Sequence, residues 1–382
     1  MQIKLNDCYA RILVDNHITE HDPSFMSKFD PENYVAMIKK SGFQASMVYA
    51  CCHNGNCYYP TKVGHMHKNL NGRDVFGETV SLLRKENIVP TAYYTVVYQR
   101  EVARSHPDWR LTYLDGTQSY RRSWYNCPNH PGYVDFVKKQ LQEIAAYDLD
   151  GIFIDMTFWP GVCMCHTCRQ KYRDEYGKEL PEIIDWKNPE WLQFQHTRER
   201  WLGDFAQTLT KAIKQIKPAM LVTHQFAAVL LGWHYGQRYV AQACDYASGD
   251  FYGGMHQQQL GTKVMAAFSK TMPYEFMTSR CVNLYDHTST KSEIELLSHG
   301  ATTLANAGAY FFIDAINPDG TLNPKTHEVL GKVGAQLKPF THKLTEHKPV
   351  LLADTAIYFS MASHISQAYN GVNLRQLMDP IS

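Results

Sequence analysis

Acidic residues closing strand-like runs are the first candidates for chemistry in this chain. Leu149-Asp150-Gly151-Ile152-Phe153-Ile154-Asp155-Met156 is a short apolar run that closes on an acid. Glu275 lies within Pro273-Tyr274-Glu275-Phe276-Met277-Thr278-Ser279-Arg280, and Asp250 stands near the end of the run before it. An ionised carboxylate without a partner is costly in an apolar interior, so an acid at the carboxyl edge of a strand is expected to open into a cleft. Two such acids on either side of a glycosidic bond are enough for hydrolysis, one ionised as nucleophile or base and one protonated as acid. Asp155 and Glu275 are the candidate pair, and Asp250 is the alternative to Glu275. Asp150 enters its strand from the far end and is expected to be structural.

His17, His53 and His224 follow or end the first, second and fifth runs, and Tyr93, Tyr94, Trp159 and Trp233 could cover apolar sugar faces. A lone histidine is more often held by local hydrogen bonds, and that alternative stays open for each of the three. Equivalent positions at several strand ends favour a shared cleft. With Arg280 they form the expected substrate-binding set.

A second constellation is Cys163-Met164-Cys165-His166-Thr167-Cys168, with Cys127 upstream in Tyr125-Asn126-Cys127-Pro128-Asn129. Three thiolates on one turn and a fourth from a neighbouring loop would give zinc a closed tetrahedral shell. Soft thiolates select zinc over magnesium or calcium, and no position is left for water or substrate. A structural zinc ion on Cys127, Cys163, Cys165 and Cys168 is expected, with no organic cofactor. Buried free thiols are the alternative, and His166 the alternative fourth ligand.

The elements that must position these groups alternate along the chain. Strand-like runs cover residues 12–17, 43–50, 89–96, 151–156, 220–224, 245–251, 273–278 and 309–313. Between them lie amphipathic stretches. Val134, Val137, Leu141 and Ile144 repeat at helical spacing, and a long apolar stripe from Trp191 to Ile216 stops before Pro218. Eight strand–helix units without a glycine-rich first turn predict an α/β fold of the closed (β/α)8 TIM barrel type rather than an open doubly wound sheet. In such a barrel the strand ends carry the chemistry.

Composition narrows the partners. The chain has 382 residues, and 38 Lys plus Arg against 37 Asp plus Glu leave a formal charge of +1, so no global field draws it to nucleic acid or an anionic membrane. No apolar run is long enough to cross a bilayer, and the start lacks a signal-peptide pattern. Thiols grouped for metal rather than disulfides fit a reducing compartment, so a cytoplasmic protein is expected. Carbohydrate is the expected partner, with neither nucleic acid nor membrane.

With these residues in view, the chain resembles known glycosidases. Cys51-Cys52-His53-Asn54-Gly55-Asn56-Cys57-Tyr58-Tyr59-Pro60-Thr61-Lys62 resembles the second-strand signature of retaining α-L-fucosidases, with His53 on the second histidine of a pair, Cys52 in place of the first and Asn54 in place of an acid. Residues 72–78, Tyr93-Tyr94, the run carrying Asp155 and residues 317–322 extend the likeness. The resemblance implies hydrolysis of terminal α-L-fucosides, with Asp155 on the nucleophile position and Glu275 on a variable acid/base position. Arg121, Arg122, Cys127, Pro128 and Asn129, then Cys163, Cys165 and Cys168, are similar to the zinc segment of barrel β-galactosidases, which makes a β-galactoside the competing substrate. A non-catalytic carbohydrate-binding barrel or assembly subunit is the alternative from another class.

Sharing both signatures, the chain resembles a group of α-L-fucosidases whose members commonly carry an additional α/β domain resembling the β-galactosidase trimerisation domain, and Val350 to Phe359 resembles its opening strand. The expected organisation is therefore a catalytic barrel over residues 1–345 and a tail over 346–382, similar to the start of that extra domain. An apolar strand with little chain to cover it would seek a partner, so a homo-oligomer is expected.

Overall fold

The computed structural model describes residues 3–120, 123–226, 235–282, 286–350, 354–356 and 358. Eight parallel strands build the sheet: β1 (Ala10–Asp15), β2 (Ala45–Cys51), β3 (Val89–Thr95), β4 (Gly151–Asp155), β5 (Leu221–His224), β6 (Ser248–Asp250), β7 (Glu275–Ser279) and β8 (Ala309–Ala315). Their order is β6-β7-β8-β1-β2-β3-β4-β5, and a parallel bridge between Gln225 and Ser248 joins the two ends. The expected (β/α)8 barrel is the observed fold. Half of these strands are buried along their whole length, and the others at all but one residue, because helices cover the outside and side chains fill the inside, which is why they read as apolar runs without alternation.

The helices are α1 (Pro31–Lys40), α2 (Val75–Lys85), α3 (Arg100–Ser105), α4 (Pro131–Ala145), α5 (His166–Tyr176), α6 (Pro189–Ile216), α7 (Met255–Phe268), α8 (Glu293–Ala305) and α9 (Pro324–His347). Local chemistry starts several of them. Proline opens α1, α4, α6 and α9, where its missing N–H costs nothing and its φ suits the first turn. Asp30, Asp74, Asn188, Ser292 and Asn323 cap α1, α2, α6, α8 and α9 by accepting a first-turn amide. Along α4, Val137, Leu141 and Ile144 form the buried stripe their spacing predicts. No helix among the described residues is long and apolar enough to cross a membrane.

Strand pairing sorts the interior into layers. Arg11, Leu13 and Asp15 rise along the inner face of β1, and Glu275 and Met277 along that of β7, since alternate residues share a face. Glu275 pairs with Ser248 and Ala309, the first residues of β6 and β8, and so belongs to the bottom layer. There its carboxylate meets Arg11 Nη1 at 2.6 Å and accepts the Ser248 hydroxyl at 2.6 Å. Arg11 also donates to the carbonyls of Cys8 and Leu5, and a small apolar cluster of Leu5, Cys8, Ala45, Val89 and Tyr246 seals this end.

Several strand bounds shift by one to three residues from the sequence expectation, β1 running over Ala10–Asp15 rather than 12–17. The sixth strand is confined to Ser248–Asp250, while the Asp245 side chain accepts from the Val222 amide and pairs with Lys214, each at 2.7 Å. Helix α9 runs through Pro339 to His347, past the expected boundary at 345, and Thr345 and Lys348 bond Asp7 beneath the barrel. Of the strand expected over residues 350–359, residues 351–353, 357 and 359 lie outside the described residues, and the others are not in a strand.

Candidate active site

A cavity of about 330 Å³ opens at the carboxyl ends of the strands. Three carboxyl groups reach it: Asp15 from the end of β1, Asp155 from the end of β4 and Asp250 from the end of β6. One layer down, Leu13, Phe153, Met277 and Ile313 give it an apolar base. Among the described residues, the lining includes no lysine or arginine.

Asp155 is held by both its oxygens. The amide of Met156 donates to Oδ1 at 2.8 Å, and the Tyr93 hydroxyl donates to Oδ2. Met156 itself takes the left-handed backbone (φ 57°), uncommon for a residue with a Cβ, in the turn where its own amide meets the carboxylate. Burial, and next the negative charge of Asp250, raise Asp155 to about 7. Burial likewise raises Asp15, against the hydrogen bond from Tyr49. Asp250 accepts from Gln225 Nε2 at 2.9 Å.

Between the first two carboxyls stand Tyr49 and Tyr93, directly paired across β2 and β3, their rings stacked with centroids 4.0 Å apart. Tyr49 donates to Asp15 Oδ1 at 3.0 Å. His17 crosses both rings edge-on, with Nε2 3.3 Å from each hydroxyl. Its Nδ1 accepts the backbone N–H of His53 at 3.2 Å. This assigns the proton of the neutral ring to Nε2. Burial pushes His17 down to about 3, so the ring stays uncharged. His53 lies over His17, centroids 4.0 Å apart, delivered by a turn in which Gly55 (φ 90°) bonds back to Cys52.

Of the expected residues, Asp155, Asp250, His17, His53 and Tyr93 line this cavity. Glu275 does not: it lies in the bottom layer on Arg11, a strand rise of roughly 7 Å below the level of Asp250. Tyr94 faces outward, bonded to Gln140 on α4 at 2.6 Å, because neighbours on a strand point to opposite faces. His224 pairs with Ile154 and shares its outward side, where Thr157 and Thr210 hold its two nitrogens at 3.0 and 2.9 Å. Trp159 is enclosed, donating to the Arg198 carbonyl at 2.9 Å with that guanidinium over its ring. Arg280 is buried against Asp314 at 2.7 Å and holds the Ser289 carbonyl at 2.6 Å, bracing the loop that carries His287. Trp233 lies outside the described residues, as do Arg121 and Arg122. Asp150 is structural as expected, paired with Arg84.

Sequence reasoning passed over Asp15, Tyr49, Tyr252 and His287. Asp15 carried the same signal as Asp155, an acid ending an apolar run, and Tyr252 lies two residues beyond Asp250. His287 sits on a loop after β7 with no periodic signal to mark it.

The four cysteines meet between the loops that follow β3 and β4. Their sulfurs all lie within 4.8 Å of one another, and Cys127 is 3.9, 3.6 and 3.5 Å from Cys163, Cys165 and Cys168. These are not disulfide distances, which are about 2.05 Å. Four buried thiols so gathered could hold a metal ion. Asn129 donates to Cys168 at 3.3 Å and accepts from Lys171.

Comparison with known proteins agrees with the resemblance drawn from the motifs. Residues 30–156 match the family model described as Hypothetical glycosyl hydrolase 6. No curated protein matches the chain. Among solved structures, alpha-L-fucosidase isoenzyme 2 from Paenibacillus thiaminolyticus is similar with a TM-score of 0.73 at 23% identity, over 86% of this chain and 49% of that one. A beta-galactosidase from Rahnella sp. R3 gives 0.65 at 14%, over 87% and 57%, and an alpha-L-fucosidase from Bacteroides thetaiotaomicron 0.53 at 16%, over 83% and 61%. At such identities the likeness is one of fold, and this chain spans about half the length of the first.

Proposed function

We propose that this barrel is a retaining exo-glycosidase acting on terminal α-L-fucosides, with Asp155 as nucleophile and Asp250 as acid/base. The observation that carries the reading is Asp155 itself, a carboxylate at a barrel strand end, in a cavity, with both oxygens oriented by donors. Asp155 would attack the anomeric carbon as the glycosidic C–O bond breaks, and Asp250 would give its proton to the departing oxygen. Asp250, now ionised, would take a proton from water as that water displaces Asp155 from the same carbon. Each carboxyl ends as it began. In this reading the two carboxyls hold one proton between them, which Asp250 must carry when Asp155 attacks.

The fucoside is preferred over the β-D-galactoside on two grounds. The motifs of the second strand are fucosidase-like, and the apolar layer of Leu13, Phe153, Met277 and Ile313 suits a ring that carries methyl where galactose carries hydroxymethyl. Aryl α-L-fucoside and aryl β-D-galactoside are the test substrates, each with the protein and with Asp155→Gly. Turnover of the fucoside, lost in the variant and partly restored by azide as a glycosyl azide, supports the reading. Turnover of the galactoside alone reverses the substrate, and binding without turnover makes the barrel a carbohydrate-binding module.

The cysteine group fits zinc. A tetrahedron with Zn–S of about 2.3 Å has S···S edges of about 3.8 Å, close to the spacings of Cys127 from its three partners. With four thiolates the ion supplies a cross-link and no chemistry, tying the loops after β3 and β4. A homo-oligomer also remains a proposal, to be tested by light scattering with and without the residues beyond Val350.

A further inference from the structure

The geometry points to Asp15 as a positioning residue of the proposed reaction, acting on Asp155 through Tyr49, His17 and Tyr93 to order its hydrogen bonds and set when it carries charge. The inference rests on the reading of Asp155 as nucleophile.

Each hydrogen in the chain has one place to go. His17 Nδ1 is occupied by the His53 amide at 3.2 Å, so the imidazole proton points from Nε2 to the two phenol oxygens, 3.3 Å away on either side. Both phenols thus accept from one N–H, and each donates onward, Tyr49 to Asp15 and Tyr93 to Asp155. The result is an unbroken link between two carboxyls on β1 and β4, braced by the 4.0 Å stacking of the tyrosines and by the His17 amide on Asp15 at 3.3 Å. Because the imidazole has no free acceptor, it can polarise the two phenols but has no room for a second proton without losing the His53 contact.

Charge acts along the same line. Among the described residues, no lysine or arginine lines the cavity to offset a second carboxylate. Among the described residues, the other titratable groups lining the cavity beside the pair and its link are Asp250 and Tyr252 from β6 and its loop, His53 from the loop after β2, and His287 from the loop after β7. A negative Asp15 therefore opposes ionisation of Asp155, and burial leaves little water to screen it.

Two substitutions separate the link from the charge. Asp15→Asn keeps an oxygen for the Tyr49 hydroxyl and removes the charge. Tyr49→Phe cuts the link and leaves both carboxyls. On the aryl glycoside that the protein cleaves, Asp15→Asn is expected to move the acid limb of kcat/KM to lower pH, raising the rate at pH 5 about fivefold relative to its own plateau. Tyr49→Phe is expected to lower kcat about tenfold with KM little changed. A raised KM with an unmoved limb in Asp15→Asn would make Asp15 a sugar-hydroxyl acceptor, and a lowered melting point alone would make it structural. Either overturns the inference. Carbon-13 carboxyl titration of aspartate-labelled protein, with Asp155 assigned from Asp155→Asn, reads the same shift without substrate: a lower Asp155 midpoint in Asp15→Asn supports it, and an unmoved one overturns it. An Asp155→Asn protein that still hydrolyses substrate would instead defeat the functional reading, whichever way the titration falls.

Discussion

The guanidinium of Arg11 and the carboxylate of Glu275 lie 2.6 Å apart, both enclosed at the amino end of the barrel. Removing one member leaves the other charged, buried and alone, at a cost of about 3 to 5 kcal/mol. Glu275→Ala is therefore expected to lower unfolding free energy by that order in denaturant titration. Well below its transition, its kcat and KM should stay within about twofold of the parent, since the pair does not touch the cavity. A variant that folds normally and loses turnover would return Glu275 to the chemistry.

Asp155 ties activity and stability to pH in opposite senses. Burial and then Asp250 raise it to about 7, far above an ordinary aspartate near 3.9. Hydrolysis needs the ionised form, so kcat/KM should fall about tenfold per unit below pH 7. The folded chain keeps this proton where the unfolded chain has released it. Its stabilising contribution is thus full below about pH 4 and lost as pH rises through 7. Asp155→Asn should lose about a thousandfold or more in kcat and, relative to the parent, be more stable at pH 8 than at pH 4 by about 4 kcal/mol. Equal stability differences at the two pH values would contradict a raised Asp155.

His224 has the reverse sign. Burial lowers it to about 3, below the ordinary 6.5, while Thr157 and Thr210 satisfy both nitrogens. The unfolded chain takes up the proton first, so this contribution is full above pH 6.5 and lost as pH falls toward 3. His224→Asn should make the decline in unfolding free energy between pH 6.5 and 4 shallower, by up to about 1.4 kcal/mol per pH unit. It should leave KM unchanged, because the ring faces away from the cavity. A raised KM would bring His224 back among the substrate contacts.

The barrel was legible because apolar runs marked the strands and helical spacing, as at Val137, Leu141 and Ile144, marked the stretches between them. Asp155 was legible because the chain direction alone makes the last residue of a strand a rim residue. Depth and facing were not. Glu275 and Met277 share the inner face of β7, and only the pairing with Ser248 and Ala309 reveals that Glu275 lies at the bottom. Its partner Arg11 is 264 positions away, beyond any local pattern. Tyr94 and His224 failed for a simpler reason: each is one position out of phase with Tyr93 and Asp155, so period two turns them outward. Applying that phase across all eight runs would have rejected both, and treating Asp15 as Asp155 was treated would have found the third carboxyl.

The cysteine cluster makes the last prediction. Cys127 comes from the loop after β3, and Cys163, Cys165 and Cys168 from the segment between β4 and α5, so a metal there would join two loops beside the end of the strand that carries Asp155. A closed thiolate shell gives the ion no reacting position, and its free energy of binding becomes stability of the loops. Protein purified without chelators should contain about one zinc per chain, released as a mercurial titrates four thiols. Cys165→Ser should lower the melting temperature and speed amide exchange in residues 157–168 and around Cys127, while kcat at low temperature changes far less than in Asp155→Asn. The Asn129 amide on Cys168 partly neutralises the thiolate charge, so Asn129→Ala should weaken zinc retention about tenfold against a competing chelator. Zinc-free protein with the same melting temperature as the loaded form would make the ion incidental, and its absence from every chelator-free preparation would leave four packed thiols.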